Sequence, residues 1–271
     1  MTPPPRIDAA LARMPRTKAQ ARPLADTLVF ARRALLKIRH TPEQAFDVVV
    51  TPIMFTVIFT YLFGGALAGS TDAYLTFLLP GILVQTVMFA AIYTGFTLNQ
   101  DIHKGVFDRF RAMPIWRPAP IAGALVGDIG RHTASALLVF AAGLIMGYRA
   151  GTGPGGILAT LVLLNLYALG IGWVFTALAL LVRTPGTMIT LSWLFLMPVT
   201  FGSNIYVDPA TMPGWLQLFV TANSVSHVTT ALRGLLAGAP DPGAIGLALL
   251  TPAMVVAVFA PLTMWLYGRE R

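Results

Sequence analysis

Asp101-Ile-His-Lys-Gly-Val-Phe-Asp-Arg-Phe-Arg-Ala-Met-Pro114 places six ionisable side chains and two phenylalanines between two long apolar runs. These residue types suit contact with another protein rather than bond chemistry. Val106, Phe107 and Phe110 offer apolar anchors, Lys104, Asp108, Arg109 and Arg111 offer charge pairs, and Met113-Pro114 ends the segment. Asp101 and Gly105 belong to the same contact segment, which reads as a cytoplasmic helix. A plainer role for such a loop is a basic topology signal with no partner. Two phenylalanines expected to be exposed weigh against that role, because interface cores are enriched in aromatic residues.

No catalytic constellation stands elsewhere. The lysines are Lys18, Lys37 and Lys104, and none follows a glycine. A phosphate-cradling loop ends in Gly-Lys-Ser/Thr, so hydrolysis of ATP by that route is not expected of this chain. His40, His103, His132 and His227 are scattered, with no pair at the spacing that puts two imidazoles on one helix face, and no metal is expected. There is no cysteine, which removes disulfide and thiolate chemistry.

Asp128 and Arg131 lie one helical turn apart and can pair. Ionisable residues inside a span are candidates for function. Counting about 20 residues back from Gly147 puts the membrane entry near Asp128. That favours an ion pair at the inner helix end, with Arg131 reaching back to the interface; coupling of the 101–114 segment to the third span is the second reading. Gln85 and Asn165 sit deep in apolar runs, where such residues more often bond neighbouring helices than a ligand. Phe55, Met88, Phe89 and Met197 could line an apolar path or simply pack between helices.

The elements that position these residues follow from composition. The chain is 56% hydrophobic and 11% charged, with mean hydropathy +0.71, whereas soluble domains carry about 25% charged residues. Nearly uncharged runs of spanning length recur. Backbone polar groups inside lipid must be satisfied internally, so the spans should be helices, and the alternation of a β-barrel is absent. The reading is an all-α polytopic membrane protein with six transmembrane helices at about 46–66, 74–98, 121–147, 157–182, 187–207 and 245–267.

Residues 1–23, rich in Pro, Ala and Arg with no apolar period, read as a disordered cytoplasmic tail. Residues 26–40 read as an amphipathic helix lying on the membrane. Leu28, Ala31, Leu35 and Ile38 recur at helical spacing, while Arg32, Arg33, Lys37 and Arg39 take much of the remaining circumference. Residues 24–271 then form one transmembrane domain. The outer connection 203–242 is no plain loop: Met212-Pro-Gly-Trp-Leu-Gln-Leu-Phe-Val220 is apolar but too short to span, and 227–236 reads as a helix ended by Gly238. A re-entrant hairpin between spans five and six fits both pieces.

The net charge is +8. It is concentrated in the tail, around 101–117, at Arg183 and at the C-terminus, which together hold sixteen of the nineteen Lys and Arg. Only Arg149 and Arg233 fall on the opposite side. By the positive-inside rule both termini are cytoplasmic. The basic excess reads as a topology and lipid signal, not a nucleic-acid surface.

The 101–114 segment resembles the cytoplasmic coupling segment of ABC-2 type export permeases, and is particularly similar to the daunorubicin/doxorubicin-resistance branch. Lys37-Ile-Arg-His-Thr-Pro-Glu-Gln44, Phe63-Gly-Gly-Ala66, Tyr74-Leu-Thr-Phe-Leu-Leu-Pro-Gly-Ile-Leu-Val-Gln85 and Leu232-Arg-Gly-Leu235 extend the resemblance over roughly residues 28–267. Asn223-Ser224 departs from the Asn-Pro common in the family. The resemblance implies a permease in the plasma membrane that works as a homodimer or a pair, bound to two separate ATPase subunits. ATP and Mg would sit on those subunits, with no cofactor on this chain. It also implies cargo of a hydrophobic kind, such as a drug, antibiotic or lipid-like metabolite. A secondary transporter should show internal repeats and buried midplane charges, and a membrane-bound enzyme should show clustered histidines or acids; neither pattern is visible.

Overall fold

The computed structural model describes residues 22–39, 42–111, 113 and 115–269; of the tail expected over 1–23, residues 1–21 lie outside them, as does His40, while Pro23 already begins a helix. Among the described residues the chain is helical, with no strand. The helices are α1 (Pro23–Arg39), α2 (Pro42–Ala68), α3 (Thr71–His103), α4 (Val106–Arg111), α5 (Ala119–Ile145), α6 (Pro154–Leu181), α7 (Pro185–Phe201), α8 (Gly214–Ala222), α9 (Ser224–Ala237) and α10 (Pro242–Arg269).

Four of these, within α2, α3, α6 and α10, are long and apolar enough to cross a membrane. The chain is a multi-pass membrane protein. α5 is as long, at 27 residues, but carries Asp128, Arg131 and His132 near its middle. α3 is the central pillar. Of its apolar stretch 89% is buried, against 22% for α2 and 17% for α10, whose outer faces are left for lipid or another chain. Ser70 starts the pillar by accepting a hydrogen bond from the Ala73 amide at 3.1 Å, a side-chain cap of the first turn.

α7 is shorter than the expected fifth span. Its 17 residues reach about 26 Å at 1.5 Å per residue, and the helix stops at Phe201 rather than 207. The chain continues as irregular backbone through Ser203, Asn204, Ile205 and Tyr206, all buried. Buried irregular backbone needs protein partners for its polar groups, and here it has them. Tyr74 donates to the Tyr206 carbonyl at 2.9 Å, Arg233 donates to the Asn204 and Ile205 carbonyls at 2.8 and 3.3 Å, and the Tyr206 hydroxyl donates to Gln85 Oε1 at 2.7 Å.

α1 packs along α5 through small residues. A Cβ on Gly123 would come within 2.8 Å of the Thr27 carbonyl oxygen, and one on Gly127 within 2.7 Å of that of Ala31. Only glycine allows this approach, which is why the buried strip of α1 is Phe30 and Ala31. Of the apolar face expected to lie on the membrane, Ala31 is buried against α5 while Leu28 and Leu35 are left uncovered by the protein. Leu28 is 64% exposed, and Leu24, Val29, Leu35 and Leu36 are also exposed. The helix therefore has two apolar strips, one seated on α5 and one of leucines turned away from the protein.

Candidate functional site

The 101–114 segment begins as the last turn of α3 and reverses at Gly105, whose φ of 66° falls in the left-handed region that glycine tolerates. The Lys104 amide closes α3 by donating to the Gln100 carbonyl at 3.0 Å, and the Gly105 amide donates to Ile102 at 2.9 Å. α4 then runs for six residues. Its aromatic residues do not face solvent, contrary to the expectation of exposed anchors. Phe107 is 5% exposed and packs edge-on against Phe110 and Tyr267, both at 5.7 Å between centroids. Phe110 meets Phe30 of α1 edge-on at 4.9 Å, with the Arg33 guanidinium 5.2 Å above its ring. The two phenylalanines mortar α4 to α1 and α10, because apolar surface was available there once α1 lay on α5.

Asp101 is also turned inward rather than toward a partner. Its carboxylate receives Arg33 at 3.0 Å and Lys37 at 2.8 Å. The two α1 cations expected to face water or headgroups are thus drawn to the end of α3. At the other end of α1, Asp26 accepts the Trp116 amide at 2.8 Å. α1 is pinned at both ends to the chain that flanks α4. Arg32 remains exposed.

What the segment presents outward is His103, Lys104, Arg109 and Met113, with Gly105 and Val106 half-buried. The side chains of Asp108 and Arg111, and Pro114 altogether, lie outside the described residues. Among the described side chains the outward face is basic with one thioether, not aromatic.

Asp128 and Arg131 pair at 3.0 Å, each side chain 7% exposed. Arg131 does not reach back to the interface. Its guanidinium donates to the Ala90 carbonyl at 3.0 Å and to Thr94 Oγ1 at 3.1 Å, while the Thr94 hydroxyl donates to Asp128. The pair is turned toward α3 because α3 supplies a hydroxyl and a carbonyl at that level. A cavity of about 40 Å³, room for a water or two, lies between this cluster and the Asp101 clamp, touching Arg33, Lys37, Asp101, Asp128 and Arg131. Among the described residues no group of three or more metal-ligating side chains occurs.

Gln85 and Asn165 bond within the protein, Gln85 as above and Asn165 to Thr133 at 2.9 Å. Met88 is fully buried. Three anchors were not visible in the sequence. Asn99 donates to the Ala179 and Val182 carbonyls at the end of α6, at 2.8 and 2.6 Å. Arg233 lies 3.7 Å over the Phe77 ring. Asn223 caps two helices at once. Its Oδ1 accepts the Val225 amide at 3.0 Å, and its Nδ2 donates to the Val199 and Gly202 carbonyls at 2.7 and 2.8 Å. Ser224, where the family commonly has proline, shares a hydrogen bond with the Tyr167 hydroxyl at 3.2 Å. An Asn before a helical pattern signals a cap; the partners in α7 carry no local signal.

Residues 26–237 match the family described as ABC-2 type transporter. A daunorubicin resistance ABC transporter permease protein of Streptomyces coeruleorubidus is 45% identical over 252 residues, covering 93% of this chain and 89% of the relative. A probable doxorubicin resistance ABC transporter permease protein of Mycobacterium tuberculosis (strain ATCC 25618 / H37Rv) is 23% identical over 261 residues, 95% of this chain and 94% of the relative. A putative transport permease of Porphyra purpurea is 25% identical over 207 residues, 74% and 70% of the two chains.

Proposed function

We propose a specific role for this chain, which belongs to the ABC-2 type transporter family: it is the permease that carries a hydrophobic small molecule of the drug or antibiotic kind out of the cell. It is a transport subunit and not itself an ATPase, consistent with the lack of a Gly-Lys-Ser/Thr loop. Two copies, or this chain and a sister, work with two ATPase subunits. Six segments cross the plasma membrane, counting α5 and the short α7 with the four apolar spans, and both termini lie in the cytoplasm. α8 and α9 form a hairpin that enters the outer leaflet and returns.

The observation that carries this reading is the bracing of α4. A short basic helix is set between α3 and α5, rigid on its inner side through Phe107, Phe110 and Tyr267 and presenting Lys104, Arg109 and Met113 outward. A helix pushed by an ATPase must transmit the displacement rather than bend. Phe110 connects it to α1 through Phe30, the Asp101 clamp connects the end of α3 to α1, and the Thr94–Asp128–Arg131 cluster connects α3 to α5. Closure of nucleotide-bound ATPases would move these elements together and open the spans outward.

The test is co-expression with a candidate ATPase, purification through a tag on this chain, and uptake of daunorubicin into inverted membrane vesicles. The expected result is recovery of the ATPase and uptake that requires ATP. Uptake indifferent to ATP, or a permease that never retains an ATPase, would overturn the reading.

A further inference from the structure

The last turns of α3, which lead into α4, are fastened to three other helices by one polar residue each. Thr94 holds α5 through Asp128, Asp101 holds α1 through Arg33 and Lys37, and between them Asn99 holds the end of α6. Asn99 is 2% exposed, and its Nδ2 donates to the Ala179 and Val182 carbonyls at 2.8 and 2.6 Å. The last carbonyls of a helix have no partner within it, so Asn99 supplies from outside what α6 lacks. Its grip falls on a tight elbow. α6 ends at Leu181, Val182 is extended, and α7 begins at Pro185. Thr184 Oγ1 accepts the Thr187 amide at 3.2 Å and so caps α7. The link between the two helices is only Val182-Arg183-Thr184, held by Asn99 at one end and by a helix cap at the other.

Gly95 lies one turn before Asn99 on the same face of α3. A Cβ there would come within 2.6 Å of the Phe175 carbonyl oxygen and would overlap the Met188 side chain. Phe175 belongs to α6 and Met188 to α7, and both are fully buried. α3 therefore meets both arms of the elbow in close packing, with the Asn99 hydrogen bonds one turn away. Displacement travels through packed side chains, hydrogen bonds and rigid helices of this kind. We propose that Asn99 is a positioning residue of the transport cycle: it makes the α6–α7 elbow follow α3 when an ATPase displaces α4. The proposal rests on the export reading above and adds the route by which motion reaches α6 and α7. An asparagine that merely capped α6 would stabilise the fold without changing how much cargo moves per ATP.

The experiment uses the permease–ATPase complex in lipid nanodiscs and in inverted vesicles. The chain has no cysteine, so Arg183→Cys, at an exposed position of the elbow, takes a single bimane label before the ATPase is added. Trapping with ATP and vanadate should shift the label's emission in the otherwise native complex, and Asn99→Ala should abolish the shift. Asn99→Ala should still retain the ATPase and hydrolyse ATP, while daunorubicin moved per ATP falls about five- to tenfold, the lower range of coupling between distant sites. Asn99→Gln, which keeps the amide donor, should restore part of both signals. A label at 183 indifferent to nucleotide in the otherwise native complex would overturn the proposal whether or not any Asn99 variant folds. Asn99→Ala with native uptake per ATP, or with uptake reduced only in proportion to the folded complex, would overturn it too and leave Asn99 a helix cap. Native vesicles that take up no daunorubicin with ATP strike at the exporter reading, whereas native uptake with unaltered coupling in Asn99→Ala strikes only at the elbow.

Discussion

Lys37 Nζ lies 2.8 Å from Asp101 Oδ1, across 64 residues of chain, with Arg33 on the other carboxylate oxygen. Two cations share one carboxylate, so neither contact stands alone. Arg33→Ala and Lys37→Ala should each loosen α1 slightly, because the remaining cation still holds Asp101. Asp101→Asn should cost more, since it weakens both charge-assisted bonds, each of which can contribute ~1.5–3 kcal/mol when well buried. The cations here are 43% and 31% exposed, and solvent screening lowers the sum to about 1–2 kcal/mol. Amide exchange over 23–39 in nanodiscs would read this as faster opening in Asp101→Asn than in either single cation variant. Equal rates in all three would mean that the clamp does not hold α1.

Phe107 and Arg109 are two residues apart but predict opposite failures. Phe107 is buried against Phe110 and Tyr267. Phe107→Ala should leave a cavity and destabilise by about 3 kcal/mol, the lower end for a core phenylalanine. Arg109 is exposed, so Arg109→Glu should leave the melting temperature unchanged while reducing recovery of the ATPase, if an acidic surface faces it. Thermal melting and ATPase pull-down on the same preparations check both. A stable Phe107→Ala that fails only in pull-down would return the phenylalanine to the outer surface.

The contrast shows what the sequence can carry. The long apolar runs announce α2, α3, α6 and α10 because burial in lipid needs only composition and length. The 101–114 segment is legible as a separate element from its charge and its glycine. The direction of Phe107 and Phe110 is not, because it depends on where α1 lies, and that depends on Gly123 and Gly127 nearly a hundred residues downstream of it. Leu28 and Leu35 satisfy the helical period, yet the residues that seat the helix are Phe30 and Ala31. A helix with two apolar strips gives one moment and hides which strip meets protein. α7 ends early for a similar reason: the apolar run reads on to about 207, and only tertiary donors from Tyr74 and Arg233 make the irregular path possible.

Asn223 separates two kinds of cap in one side chain. Asn223→Asp keeps an oxygen for the Val225 amide but removes the donor to Val199 and Gly202. Asn223→Ala removes all three bonds. The alanine variant should lose about 2–3 kcal/mol, one cap and two carbonyl partners, and the aspartate variant should lose at least as much, because a carboxylate then faces two carbonyl oxygens. Thermal melting of the purified permease would show it. An aspartate variant as stable as the native chain would mean that the carbonyls of α7 find other donors.

Arg131 and Asp128 give the sharpest test of a buried pair, because their charges meet inside the protein. Each is 7% exposed, and Thr94 and the Ala90 carbonyl complete the set. Arg131→Met leaves Asp128 with only the Thr94 hydroxyl, and breaking a buried pair from one side typically costs ~3–5 kcal/mol. Asp128→Asn leaves the guanidinium with two neutral acceptors, Ala90 and Thr94, and should cost less. The double variant Asp128→Leu with Arg131→Met removes both charges and should recover much of the loss, because replacing a buried pair by apolar groups is often near neutral. Stability and export then part ways. If the cluster only packs α3 against α5, the double variant should regain ATP-driven uptake along with its melting temperature. If it transmits motion from α4, the double variant should melt like the native chain yet export poorly. The double-mutant cycle, read by melting and by uptake in inverted vesicles, distinguishes the two, and recovery of both would rule out a coupling role for the pair.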